Sequence, residues 1–346
     1  MLQTIALLLL LPMACTLKIR ENGSHIPPAG AIANPQGLNL YECKPGGQWP
    51  KVEKFDLVIS WWTSTYQSEY TTFTIFSNKA KTMVQNQAEI MYALRSYEKY
   101  GMLKHVNQVF ILIDSPVLSH HGAPRFFDYN NAKIKVISSE DLGLNRGGQW
   151  QKLTRMHTIP GLSDYFMWLP DDNFMMRQFD INELWSEHKH APKLHEFGTW
   201  APGWCDNMAP TGSLHGPVLL QKCAVATVMD RYFGANQLNV ILNAMNNNQP
   251  IDILCLFTHA MSRDWQNDGF DTIFHSECHT NGGYCNPNSA ALFMNIQGGG
   301  VSDEYGNHPM SHSSQVLMPD GAAKFFESKY PSPSRFEKPG MNWSVD

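Results

Sequence analysis

Four short stretches dense in β-branched, aromatic and other apolar residues set the pattern of the chain: Phe55–Trp62 (FDLVISWW), Gln108–Asp114 (QVFILID), Lys133–Ile137 and Tyr165–Leu169 (YFMWL), the last stopped by Pro170. Runs of this length without clean alternation predict strands buried on both faces. Within Lys81–Tyr100, Met83, Ile90, Leu94 and Tyr97 recur at mostly helical spacing, which predicts an amphipathic helix. Val218–Phe233 and Gln237–Asn246 also read as helices, and Ala322–Ser328 as a short final one before a Pro-rich tail. Residues 16–52, rich in Pro, Gly and Asn, predict an extended arm, and the His- and Asn-rich stretch Asn267–His312 a loop. Buried strands separated by helices predict an α/β fold: a mostly parallel central sheet covered by helices on both faces, with a loop-rich C-terminal part.

Composition narrows the classes. At 346 residues the chain is long enough for a large core, and its 43% hydrophobic content excludes a disordered protein. A net charge of -5 and the absence of any block of like charge argue against nucleic acid as a partner, since such binding rests on neutralising phosphates. The apolar run Ile5–Met13 is about half the ~20 residues that a spanning helix needs. It predicts a secretory signal ending near Cys15, although the usual preceding positive charge is missing, and no later stretch predicts a stable membrane span.

Seven cysteines are present, and removal of a signal that includes Cys15 leaves six: Cys43, Cys205, Cys223, Cys255, Cys278 and Cys285. An even set in an oxidising compartment predicts up to three disulfides of open pairing, and Cys278 and Cys285 flank Gly282-Gly283 as a candidate short loop. Zinc is the weaker alternative, for no C-x-x-C pair occurs. The sequons at Asn22 and Asn342 fit the same secretory reading. The expected location is the secretory pathway, in the Golgi lumen or outside the cell.

Candidate chemistry lies at strand ends. Asp56 begins the first strand, Asp114 ends the second, and Asp171-Asp172 follow the fourth. Ligands of open α/β sheets gather outside the carboxyl ends of the strands, where carboxylates suit a divalent cation. Each single Asp also has a bland reading as a turn or helix cap. The adjacent pair in Leu169-Pro170-Asp171-Asp172-Asn173 is more specific, because two touching like charges need a cation or donors to offset them. Among the fourteen histidines, His275 and His279 have the spacing of one helix face, but neighbouring Gly and Asn favour a loop. No H-E-x-x-H, G-x-S-x-G or phosphate-loop motif occurs, and Gly298-Gly299-Gly300 reads as a turn.

Four blocks resemble the Stealth family of sugar-phosphate transferases. Phe55–Trp61 is similar to that family's opening D-V-V-Y-T-W strand, and Glu89–Asp114 to its E-L-R-Y-S-L-R-S-I-E-K-Y…I-V-T-D block. His157–Phe174 (HTIPGLSDYFMWLPDDNF) resembles H-R-I-P-G-L-S-E-x-F-I-Y-L-N-D-D-x-F, and Phe325–Glu337 (FFESKYPSPSRFE) the closing F-x-E-S-x-F-P-x-P-S-x-F-E. The resemblance implies a Rossmann-like, nucleotide-sugar transferase-like domain over 53–337, after a 1–15 signal and a 16–52 arm and before a 338–346 tail. It also implies transfer of a sugar 1-phosphate from a nucleotide sugar to a hydroxyl of a glycan or glycoprotein acceptor, releasing the nucleoside monophosphate. Such chemistry needs a cation for the pyrophosphate, a basic clamp and in-line geometry.

Carried over onto matching positions, Asp56, Arg95, Asp171, Asp172, His215 and Asp252 are the implied catalytic set, with Asp114 and Asn295 as ligand contacts and Asp171 and Asp172 holding Mg2+ or Mn2+. Arg95 is open to two readings, a phosphate contact or a clamp on Glu98 or Asp114. His215, in His215-Gly216-Pro217, matches the family's H-x-P. The departures are specific. Thr63-Ser64-Thr65 stands where acidic residues normally follow the first strand, Gly147–Trp150 replaces an N-S-x-A-I-E segment, and Asn248–Asp252 keeps Pro and Asp but lacks the family's Arg or His. They leave a non-catalytic, glycan-binding descendant and a metal-dependent glycosyltransferase as alternatives.

Overall fold

The computed structural model describes residues 41–61, 83–115, 118–119, 122–144, 149–171, 173–187, 190–195, 217–233, 257, 261, 272–273, 275–279, 291–297 and 326–340. In chain order the strands are β1 (Phe55–Ser60), β2 (Val106–Ile113), β3 (Ile134–Ser138), β4 (Tyr165–Pro170), β5 (Asn173–Met175), β6 (Trp185–Ser186), β7 (Ala191–Pro192), β8 (Leu194–His195), β9 (Val218–Gln221), β10 (Thr272–Ile273), β11 (His275–His279) and β12 (Phe293–Gln297). The helices are α1 (Met83–Lys99), α2 (Gln149–Arg155) and α3 (Lys222–Thr227), the last continued by a π-helical turn, Val228–Phe233.

A five-stranded sheet ordered β3-β2-β1-β4-β9 forms the centre, with β3, β2, β1 and β4 parallel and β9 antiparallel to β4. Every residue of β1 and β4 is buried, as expected for strands covered on both faces. The register is tight: Val58 lies opposite Phe110 on one side and Trp168 on the other. A second sheet, β11-β12-β5, grows from the residues just past β4, where β12 runs antiparallel to β5 and parallel to β11.

The helix α1 buries Ile90–Leu94 and Tyr97 and locks onto β5 by polar contacts. Ser96 Oγ accepts the Met175 amide at 2.9 Å, and Tyr97 donates to the Asn173 carbonyl at 2.8 Å. Gly101, at φ +83°, then turns the chain from α1 toward β2, a left-handed conformation that costs glycine little. The closing segment docks on the same helix: Phe326 stacks between Tyr92 and Phe174, and Tyr330 donates to the Met175 carbonyl at 2.8 Å. Two of the family-like blocks, α1 and 326–337, are thus packed into one layer.

Three expectations change. Val218–Phe233 is not one helix, because Val218-Leu219-Leu220-Gln221 pairs with β4 as an edge strand before the chain turns helical. A short apolar run has no period that separates strand from helix, so only the partner strand decides. The stretch Asn267–His312 holds β10, β11 and β12, whose pairing is tertiary and outweighs the turn-like composition. The arm is more than an extended loop: Cys43, Trp49 and Val52 are core residues, Cys43 is disulfide-bonded to Cys223, and Trp49 Nε1 donates to the Met261 carbonyl at 3.0 Å. Helical residues 326–329 lie inside the predicted Ala322–Ser328 helix and one beyond it, whereas Gln237–Asn246 and the Cys278–Cys285 loop are wholly or partly outside the described residues. No helix among the described residues is long and apolar enough to cross a membrane.

Candidate active site at the carboxyl edge of the sheet

The strand order places β2 and β3 to one side of β1 and β4 to the other, so the chain reverses its direction of progress between β1 and β4. A crevice opens at such a switch point, outside the carboxyl ends of the strands. Register defines what stands there. Ser60 pairs with Leu112 and with Pro170, so Asp114 and Asp171 emerge at nearly the same level on either side of Ser60 and Trp61. Ser138 ends β3 level with Ile113.

One side chain was missed by sequence reasoning. Lys152, on α2, is 2% exposed in its side chain and brings Nζ to 3.2 Å from Asp114 Oδ1. That oxygen is buried and meets the ammonium at ion-pair distance. Burial lowers the Lys152 pKa below its ordinary value, opposed by the charge of Asp114, its hydrogen bond with the ammonium, and then the charge of Asp171. Lysine is almost never fully buried unless paired, and nothing in Gln149–Arg155 distinguishes this lysine from a solvated one. Trp61, at the end of β1, is also inside: its indole N–H is buried and has no partner among the described residues. The loops after β2 and β3 are tied together by hydroxyls, with the Ser115 amide donating to Ser139 Oγ at 2.9 Å and the Glu140 amide to Ser115 Oγ at 2.9 Å.

Asp56 and Arg95 are not brought to this edge. Asp56 lies at the amino end of β1 and accepts the Gln108 amide at 3.1 Å and the Ser163 amide at 2.6 Å, tying β1 to β2 and to the approach to β4. Arg95 forks onto Glu337, with Nε 2.9 Å from Oε1 and Nη2 2.7 Å from Oε2, rather than onto Glu98 or Asp114. Glu98 is held instead by Arg335, whose hydrogen bonds keep its carboxyl below the ordinary value. Asp172, His215 and Asp252 lie outside the described residues. The backbone of Asn295 sits in β12 opposite Asn173, two residues beyond Asp171.

Burial pushes the Asp56 carboxyl above its ordinary value of 3.8, opposed by the hydrogen bonds from Ser163 and Gln108. Its contribution to stability is therefore complete below that value and fades as pH rises through the raised folded one. Asp56→Asn keeps one acceptor and strands one buried amide, so a loss of about 1–3 kcal/mol is expected in chemical denaturation. The gap to wild type should narrow as pH rises from 3.8, and a widening gap would refute dominance of burial.

Carboxylate oxygens are the donor type that a divalent cation takes. Asp114 and Asp171 carry such hard carboxylate oxygens. Lys152 already neutralises Asp114. Among the described residues no three His, Cys, Asp or Glu side chains form a cluster that could hold a metal ion.

No protein-family model matches the chain. Curated proteins of Neisseria meningitidis serogroup A named "Capsular polysaccharide phosphotransferase SacB" are 25% identical to it over 182 residues, which is 48% of this chain and 32% of theirs. The same holds for the protein of that name from strain DSM 15465 / Z2491, and a further one is 24% identical over the same length. The chain thus spans about a third of the length of the curated relatives it matches. In coarse terms, this chain is similar to bacterial phosphotransferases.

Proposed function

We propose that this protein transfers a sugar 1-phosphate from a nucleotide sugar to a hydroxyl of a glycan acceptor and releases the nucleoside monophosphate. The observation that carries the reading is the convergence of Asp114, Lys152 and Asp171 at the β1/β4 switch point. The likeness to capsular polysaccharide phosphotransferases supports the reaction class and a glycan as substrate.

In this reaction the acceptor oxygen forms a bond to the sugar-bearing phosphorus while the bridging P–O bond to the nucleotide breaks. The hydroxyl proton passes to a carboxylate that is not engaged by the cation. Positioning and charge stabilisation supply most of the rate in such transfers. Lys152 contributes fixed positive charge beside Asp114, and the Trp61 N–H offers a buried donor to a ligand oxygen. When held by Asp171 and Asp172, Mg2+ or Mn2+ would neutralise the pyrophosphate. His215, Asp252 and Asn295 remain acceptor or phosphate contacts by resemblance. Arg95 and Asp56 are assigned to the framework. The Cys43–Cys223 disulfide supports a secretory or extracellular location, where oxidised thiols persist.

Purified protein should release nucleoside monophosphate from a suitable nucleotide sugar and form a phosphodiester-linked product, both read by mass spectrometry. Asp171→Ala should lower this turnover by about 10²- to 10³-fold, the scale for removing one charge-stabilising group, with an unchanged melting curve. Release of nucleoside diphosphate would mean glycosyl transfer instead. Glycan binding without turnover would establish the non-catalytic reading.

A further inference from the structure

Hydrogen bonding at the carboxyl ends of β2 and β3 leaves one hydroxyl hydrogen over. Ser139 Oγ accepts the Ser115 amide and Ser115 Oγ accepts the Glu140 amide, each at 2.9 Å, and the two hydroxyl oxygens are 3.0 Å apart. Only one hydrogen can lie between them, so one serine donates to the other and the second hydrogen must go elsewhere. Ser139 is fully buried, whereas Ser115 is partly exposed. A buried hydroxyl without an acceptor is costly. Ser139 therefore donates to Ser115, which then accepts twice and turns its own hydrogen outward, where no acceptor among the described residues takes it.

The residue before Ser115 is set in a complementary way. Asp114 Oδ1 is buried against Lys152 Nζ at 3.2 Å, while the side chain keeps 20% exposure, so Oδ2 is the oxygen left to the crevice. Lys152 comes from α2 and Ser139 from the end of β3, so turning either group breaks a contact to another element. The end of β2 thus presents a fixed carboxylate acceptor and, one residue on, a fixed hydroxyl donor. A cation would use only the first and a phosphate only the second. Two neighbouring hydroxyls use both: one donates to the carboxylate and the other accepts from the serine. The order β3-β2-β1-β4 is that of dinucleotide-binding sheets, in which an acidic residue holds a ribose hydroxyl beside phosphates bound at the switch point.

We propose that Asp114 and Ser115 form a subsite for a vicinal diol, the two ring hydroxyls of the donor nucleotide's ribose, with Lys152 and Ser139 as the positioning residues that fix its acceptor and its donor. The inference rests on the reading of this edge as the donor site, and adds which part of the donor lies over β2.

The test is calorimetric binding of UDP, GDP, CDP and ADP, and of their deoxy forms lacking one or the other ribose hydroxyl, to the full-length protein in Mg2+ buffer. For the diphosphate that binds, one of the two losses should weaken binding by about 10- to 100-fold, the scale of a hydrogen bond to a charged group, and the other by a smaller factor. Ser115→Ala should abolish the smaller factor, and Asp114→Asn should reduce the larger one, since a neutral amide accepts less strongly than a carboxylate. Equal binding of all three forms would overturn the ribose assignment. Should Ser115→Ala then weaken a nucleotide sugar but not its nucleotide, the diol belongs to the sugar ring instead. No binding of any diphosphate by wild type would strike the donor-site reading together with the subsite, whereas binding without preference for the hydroxyls strikes the subsite alone. The wild-type comparison needs no variant, so it decides even where a variant fails to fold.

Discussion

Replacing Arg95 with methionine is expected to destabilise the protein by about 3–5 kcal/mol, because it strands the Glu337 carboxylate in the interior. The pair is deeply buried, at 7% exposure for the arginine side chain and 1% for the glutamate. One edge of the guanidinium forms the fork: Nε and Nη2 reach the two carboxylate oxygens at 2.9 and 2.7 Å, and Glu337 Oε1 also accepts the Ser334 amide at 2.7 Å. Arg95→Lys should recover little, since a point-charge ammonium cannot reproduce the planar fork. Arg95→Met with Glu337→Leu should recover much of the loss, for it removes both charges together. Urea denaturation of the three variants measures the energies. The double variant also tests the framework role of Arg95, because it should stay folded and keep activity. A single variant with wild-type stability would remove the clamp from the account.

The second large effect concerns the disulfide. Cys43 and Cys223 are 180 residues apart in sequence, so their link closes a loop of about half the 346-residue chain in the unfolded state. In the chain-entropy treatment a loop of that length corresponds to about 5 kcal/mol, against about 2–4 kcal/mol for typical bridges. The folded state depends on the link too, because it anchors the segment that delivers Trp49 and Val52 to the core. Pro50 accepts a hydrogen bond from Tyr165 at 2.7 Å, which joins the same segment to β4. Cys43→Ala with Cys223→Ala should therefore lower the denaturation midpoint steeply, and a change below about 1 kcal/mol would show that the arm holds without it. The double variant is preferable to reduction, which would also act on the other cysteines.

Some elements were legible because their signal is local. The apolar runs of β1, β2, β3 and β4 need no partner to be recognised, and Lys81–Tyr100 carries its own helical period, so these came out within a few residues of their observed bounds. Leu169-Pro170-Asp171 was readable as the end of a strand, and the switch point follows once the order of strands is known. β9 was misread because Val218–Gln221 is apolar without a diagnostic period, and its identity comes from hydrogen bonds to Phe166 and its neighbours. Strands β10, β11 and β12 were misread because composition argued for turns and only pairing argued otherwise.

The α/β class, the buried parallel strands and the acidic residues at their ends are written locally in the chain, since each depends on side-chain type and spacing within a short window. Which of those acids come together depends on how the strands pair. Asp56 and Asp114 look alike as strand-end carboxylates, yet β1 carries one at its amino end, saturated by amides, while β2 carries the other to the switch point. Arg95 and Lys152 exchanged roles for the same reason: the expected phosphate clamp is consumed by Glu337, 242 residues away, and an unremarkable lysine is carried inward by α2 to meet Asp114. Charge acts through space, so a partner distant in sequence settles the role of a charged residue that its neighbours in the chain leave open.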